Sequence, residues 1–189
     1  MKTWQLLILS GACLLTIVLR ATPMVLPGTP TGLDCMLALA LICGSGLRKW
    51  WAPLLPLAVR LLTDTIIHLK TGNGFWPSMA FDYSAYAGIA ILARWIPAKR
   101  LSVVVAGGLL TPLLFFAVSN FGVWWLWPET YSTTLTGLAQ CYAAGIPYLR
   151  ISLVSNFAFC LLFFSLWNTV TAIQTSSSAG PAFPGQIGK

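Results

Sequence analysis

Charge is the scarcest commodity in this chain. Only 8% of its 189 residues are Asp, Glu, Lys or Arg, against the roughly 25% of a soluble domain. That is too little polar surface to cover a globule in water, so a water-soluble protein is excluded. Acidic residues number four and histidine one, which rules out a multi-histidine metal centre. The cysteines (Cys13, Cys35, Cys43, Cys141, Cys160) are odd in number and form no C-x-x-C pair. A disulfide framework or zinc site is not expected from them, and they read as small apolar packing groups. Walker loops, G-x-G-x-x-G and H-E-x-x-H are missing as well. No cofactor is therefore expected, and ATP hydrolysis by this chain is excluded. Ser78, Ser84 and Ser119 lack a nucleophile-elbow context, so no hydrolase triad is expected.

What is abundant is apolar side chain: 57% of residues, with a mean hydropathy of +0.79. Eleven Lys and Arg give a net charge of +7, but they lie singly or in pairs, without the basic stripe of a nucleic-acid binder. They read as topology signals at a membrane, and the nine Trp read as anchors in the headgroup region. The expected partner is a lipid bilayer, not nucleic acid.

Apolar runs broken by Pro, Gly and charge predict an all-α polytopic membrane protein, a bundle of six transmembrane helices at about 4–20, 33–47, 52–69, 81–96, 101–119 and 151–173. Pro23, Pro27, Gly28 and Pro30 break the chain after the first, and Thr71-Gly72-Asn73-Gly74 after the third. Thr133–Tyr148 reads as a short amphipathic helix at the interface before the last span, and a seventh span there is the alternative. The first helix is expected to be retained, because the apolar run continues past Cys13 and no small-x-small cleavage site follows. Residues 1–173 form one integral membrane domain, and the Ser-, Gly- and Pro-rich 174–189 a disordered tail. An N-terminus and C-terminus in the cytoplasm put Lys2, Arg48, Lys49, Lys99, Arg100 and Lys189 inside, and only Arg20, Lys70 and Arg150 outside. No internal repeat of the kind found in self-sufficient transporters is visible.

A charge in hydrocarbon costs at least about 2.5–3.5 kcal/mol, which makes intramembrane ionisable groups functional candidates. The third helix carries Arg60, Asp64 and His68 at four-residue spacing, on one stripe. Two readings stay open: an internal Arg60–Asp64 pair that locks the bundle, or Asp64 and His68 as part of a ligand pocket. In the six-helix topology Asp64, His68, Asn73, Asp82, Tyr83, Tyr86, Asn120, Trp124, Glu129 and Asn156 all fall toward the outer side. Aromatic rings with a few polar groups among helices are what a small-molecule site needs. A membrane enzyme acting on a lipid or isoprenoid, with Asp64 and His68 as acid and base, is one rival. A scaffold subunit without ligand is another. Small residues four apart, Ala40/Gly44 and Ser84/Gly88, permit close helix contact.

Three stretches resemble a bacterial family of small uncharacterised membrane proteins assigned to transport: Pro53–Asp64 (PLLPLAVRLLTD), Ser119–Trp124 (SNFGVW) and Tyr131–Arg150 (YSTTLTGLAQCYAAGIPYLR). That family is in turn similar to the substrate-binding S components of energy-coupling factor (ECF) transporters, over roughly residues 25–170. The resemblance implies a six-helix binder that captures a small, vitamin-like nutrient from outside. It also implies a membrane coupling protein and ATPase subunits as partners, in the bacterial inner membrane. Carried over by position, it marks Asp64, Asn120, Trp124, Tyr131, Tyr142 and Arg150. With the outward polar set, the expected substrate-binding residues are Asp64, His68, Asp82, Tyr83, Asn120, Trp124, Tyr131, Tyr142 and Arg150. The chain departs from the resemblance at Leu26–Leu33, which keeps only Thr29-Pro30, and at the start of the last helix, which has Ile151-Ser152 and Ser155-Asn156.

Overall fold

A computed structural model describes residues 3–25, 33–96 and 101–178. Six α-helices account for most of them: α1 (Thr3–Val25), α2 (Met36–Ile42), α3 (Leu54–Thr71), α4 (Met79–Ala93), α5 (Leu101–Leu126) and α6 (Leu135–Ser178). Among the described residues there is no strand. The looser loop Leu26–Leu33, except Leu33, and the tail from 179 onward lie outside the described residues.

The sequence MLALALI carries no polar side chain on any face, and a helix apolar all round is a buried one. All seven residues of α2 are buried, and it touches each of the other five helices. α2 is thus the axis of the core. It runs on into a π-helical turn, Cys43–Leu47, and stops at Arg48, which adopts the left-handed conformation (φ 52°) and donates its N–H to the carbonyl of Gly44.

Contacts between helix ends fix the chain direction. Arg20, late in α1, meets Asp34 just before α2, and Gly44 after α2 lies against Ala90 and Ala93 late in α4. Phe81, early in α4, packs on Gly122 late in α5. Gly108 in α5 lies on Phe157 in α6. Trp167, late in α6, packs edge-on against Trp4 at 4.9 Å. The six helices therefore alternate in direction. One end of the bundle carries Trp4, Trp50, Trp51, Trp95 and Trp167; the other carries Trp76, Trp124, Trp125 and Trp127. Indoles gathered at two levels are what two membrane–water interfaces select.

Three helices are long and apolar enough to cross a membrane, within α1, α5 and α6. Leu7, Leu14, Leu61, Leu92, Leu110, Val154 and Leu166 project outward and exposed, an exterior suited to lipid rather than water. α3 terminates where Gly72 takes a positive φ of 75° and its N–H reaches the carbonyl of His68 at 2.8 Å. This left-handed cap is a conformation that other residues adopt only with strain.

Several boundaries differ from expectation: α1 runs through Pro23 to Val25 instead of ending near 20, and α6 continues to Ser178, into the stretch from 174 expected to be a disordered tail. Thr133–Tyr148 is not a separate interfacial helix: the chain turns helical at Leu135 and stays helical to Ser178. Pro147 lies inside that run, and its cost is one lost backbone hydrogen bond, which does not end the helix. At about 1.5 Å per residue the 44 residues span roughly 66 Å, well beyond a 30 Å hydrocarbon core. α5 likewise runs on from 119 to Leu126.

α5 also contains a proline, Pro112, which cannot donate to the carbonyl four residues earlier. That carbonyl belongs to Gly108, and the buried Asn156 of α6 supplies the missing donor, Nδ2 to O, at 2.9 Å. The same amide reaches Thr111 Oγ1 at 2.9 Å. In hydrocarbon such a replacement is needed, because no water is present to satisfy the freed oxygen. All five cysteines are free thiols, four of them buried.

Candidate functional site

Three of the chain's four acidic residues converge near the end of the bundle that carries the α3–α4 and α5–α6 loops. They meet two arginines there. Asp64, on the inward face of α3, is the centre. One carboxylate oxygen accepts from Arg20 Nη2 of α1 at 2.6 Å. The other accepts from Arg60 Nε at 2.8 Å and from the Tyr83 hydroxyl of α4 at 2.9 Å. The Arg60 contact is the four-residue helical pair read from the sequence. The Arg20 contact is long-range, and local spacing gives no sign of it.

From this centre the network runs both ways. Arg20 also faces Asp34 at 3.6 Å and donates through Nε to Thr63 Oγ1 at 3.1 Å. Asp34 is held in place by accepting the Met36 N–H at 2.7 Å. Arg60 faces Asp82 of α4 at 3.5 Å, and its guanidinium lies 5.5 Å from the Tyr86 ring centroid and 6.0 Å from that of Tyr83. Cation–π attraction of this kind strengthens as water is removed. Asp82 in turn accepts from Ser119 Oγ of α5 at 2.6 Å. Side-chain exposure falls from 30% at Asp34 through 16% at Arg20 to 4% at Arg60 and 1% at Asp64. The network thus ties together α1, the start of α2, α3, α4 and α5.

Beyond Ser119 lies a cavity of about 210 Å³ between α5 and α6. Its walls include Phe115, Phe116, Ser119, Asn120, Tyr148 and Ser152, with Pro112 and Gly145 on its two helices. Gly145 is required there, because a Cβ would come within 2.6 Å of Asn120 Oδ1. Asn120 donates to the carbonyl of Phe116 at 2.8 Å.

The nine expected site residues separate into groups. Asp64, Asp82 and Tyr83 are joined in the network, and Asn120 lines the adjoining cavity. The others lie elsewhere. His68 is exposed on α3, accepts the Gly74 N–H at Nδ1 (3.3 Å) and tilts against Phe75, so it serves the α3–α4 turn. Trp124 donates to the Ser132 carbonyl at 2.9 Å and pins the α5–α6 loop. Tyr131 sits half-buried in that loop. Tyr142 donates to the Ala117 carbonyl at 2.6 Å, fastening α6 to α5. Arg150 is exposed and, among the described residues, forms no ion pair. Arg20, Asp34, Thr63 and Ser119 belong to the site but were not singled out for it in the sequence. The available signal was arithmetic: with four acids in the chain, a buried acid must find its cation from a small pool.

The family that matches residues 1–179 is described as a family of unknown function, DUF6580. The chain belongs to the DUF6580 family. No curated protein and no solved structure matches it significantly. For this DUF6580 chain, then, the argument about function rests on the network and its cavity. Chemically, Asp64 is saturated by three donors, whereas Asn120 and Ser119, the latter donating to Asp82, line the open volume. Among the described residues no three His, Cys, Asp or Glu side chains gather as metal ligands.

Proposed function

We propose that this chain is a multi-pass protein of the bacterial inner membrane. In this reading it captures a small nutrient at its outer end, as S components do, and hands it to a coupling protein driven by ATPase subunits. All six helices cross, with both termini cytoplasmic. α2 and α4 are too short to match the bilayer alone, but α2 is enclosed by its neighbours and needs no such match. The end bearing Arg48, Lys49 and Arg94 is the cytoplasmic one, in keeping with the positive-inside bias. The observation that carries the reading is the cavity beside Ser119 and Asn120, backed by the charged network that Ser119 joins to it. Its volume of about 210 Å³ is below the 300–1,000 Å³ of drug-sized sites, so the guest is small.

The test is thermal unfolding of the purified protein against a panel of vitamins, together with identification of proteins that co-purify. One vitamin is expected to raise the midpoint, and a coupling protein or ATPase to come down with the chain. If no compound stabilises it and no such partner appears, the import reading fails.

One observation favours a second reading, a scaffold subunit. Asp64 is wholly occupied by internal partners, as a bundle lock would be. A scaffold would tolerate changes at Ser119 and Asn120 and hold one membrane partner tightly. The enzymatic rival draws less support, because His68 is engaged at the α3–α4 turn rather than with Asp64.

A further inference from the structure

Charge does not balance in the network. Two guanidinium groups face three carboxylates. Asp64 takes the short contacts of both arginines, 2.6 and 2.8 Å, leaving Asp34 and Asp82 with the long ones, 3.6 and 3.5 Å. Asp34 is 30% exposed and can share its charge with water, but the Asp82 side chain is only 10% exposed. Asp82 is therefore the least compensated of the buried carboxyl groups, and a cation bound nearby would favour its ionised form. Its two oxygens face different ways: Oδ2 toward Arg60, and Oδ1 toward Ser119, whose side chain lines the cavity. The remaining walls include three aromatic rings, Phe115, Phe116 and Tyr148.

A carboxylate held behind a hydroxyl in the wall of a small cavity lined by aromatic side chains is complementary to a compact organic cation. Building on the binding role proposed above, we infer that the α5–α6 cavity selects a small monocation of the amine or quaternary ammonium class. Asp82 supplies the counter-charge through Ser119, the rings supply cation–π contact, and Asn120 and Ser152 supply hydrogen bonds. Arg150 is the nearest cation in sequence to the lining residues Leu149 and Ser152, but it is exposed and outside the lining.

The experiment uses the full-length protein in detergent and compares thermal midpoints with cations and their neutral isosteres. The probes are choline against 3,3-dimethylbutan-1-ol, and 2-phenylethylamine against 2-phenylethanol. The cations are expected to raise the midpoint and the neutral partners to leave it unchanged. Asp82→Asn should weaken cation binding roughly tenfold or more, because it removes the counter-charge behind Ser119. Ser119→Ala keeps the carboxylate and the fold and should weaken it less. Arg150→Gln should leave it equal or tighter. Equal stabilisation by cation and isostere overturns the inference, as does cation binding indifferent to both Asp82→Asn and Ser119→Ala. If a neutral or acidic vitamin binds and the cations do not, the inference falls while the import reading stands. If nothing in either panel binds and no partner co-purifies, both fall.

Discussion

Arg20 of α1 holds Asp64 of α3 at 2.6 Å across 44 residues of chain, on the carboxylate oxygen that Arg60 does not use. Asp64 is therefore shared between two arginines, not paired with one. Removing its charge leaves each guanidinium only its longer contact, Arg20 to Asp34 at 3.6 Å and Arg60 to Asp82 at 3.5 Å. Asp64→Asn is expected to destabilise the protein by about 3–5 kcal/mol, the usual cost of breaking a buried pair from one side. Neutralising Arg60 as well should recover only part of that loss, since Arg20 still faces an amide. Thermal unfolding of the two single variants and the double variant in detergent measures this directly. Full recovery in Asp64→Asn/Arg60→Gln would show that the Arg20 contact contributes nothing.

Asn156 and Pro112 form a compensating pair across α5 and α6. Asn156→Leu orphans the Gly108 carbonyl and should cost about 1–3 kcal/mol. Pro112→Ala restores a backbone N–H able to reach that carbonyl, so in the Pro112→Ala background the same Asn156→Leu change should cost much less. Additive effects in a double-mutant cycle would refute the compensation.

The parts of this fold legible in the sequence are those governed by local rules. MLALALI announces a helix buried on all sides, and Thr71-Gly72-Asn73-Gly74 announces the stop of α3. The four-residue step from Arg60 to Asp64 puts those charges in contact whatever the rest of the chain does. Arg20 and Asp34 are not legible as site residues, because nothing local distinguishes an arginine near a helix end that orients a protein from one that reaches another helix. The continuity of α6 through Pro147 was hidden for a different reason: a proline removes one hydrogen bond, and packing decides whether the helix survives it. Site membership divided along the same line. Asp82 and Tyr83 emerged from their shared level in the bundle. His68, Trp124 and Tyr142 share that level too, yet their partners are backbone groups of nearby turns and helices.

Gly72 closes α3 at a positive φ, and the turn it makes carries the chain back toward α4, where Asp82 and Tyr83 begin the second half of the network. Gly72→Ala is expected to cost about 1 kcal/mol, the strain of a Cβ in the left-handed region. No atom stands within 4 Å of the added methyl, so sterics contribute nothing further. A lowered unfolding midpoint with ligand affinity unchanged is the expected pattern. An unchanged midpoint would mean that the turn adopts another conformation.

The proposed six crossings would place Asn73 and Thr130 in loops on one side of the membrane and Lys49 in a loop on the other. The five native cysteines, all free and four of them buried, first need replacement by Ala so that labels report only introduced thiols. Single cysteines at Asn73 and Thr130 should then react in intact cells with a membrane-impermeant maleimide, whereas one at Lys49 should react only after permeabilisation. The comparison of Asn73 with Thr130 matters most, because α4 and α5 separate them and a crossing by only one of the two would make the labels disagree. Protection of Thr130 with labelling of Asn73 would mean that α4 or α5 fails to cross. Asp82 and Ser119 would still touch, but the cavity behind them would no longer open toward the outer side, and capture from outside would lose its route.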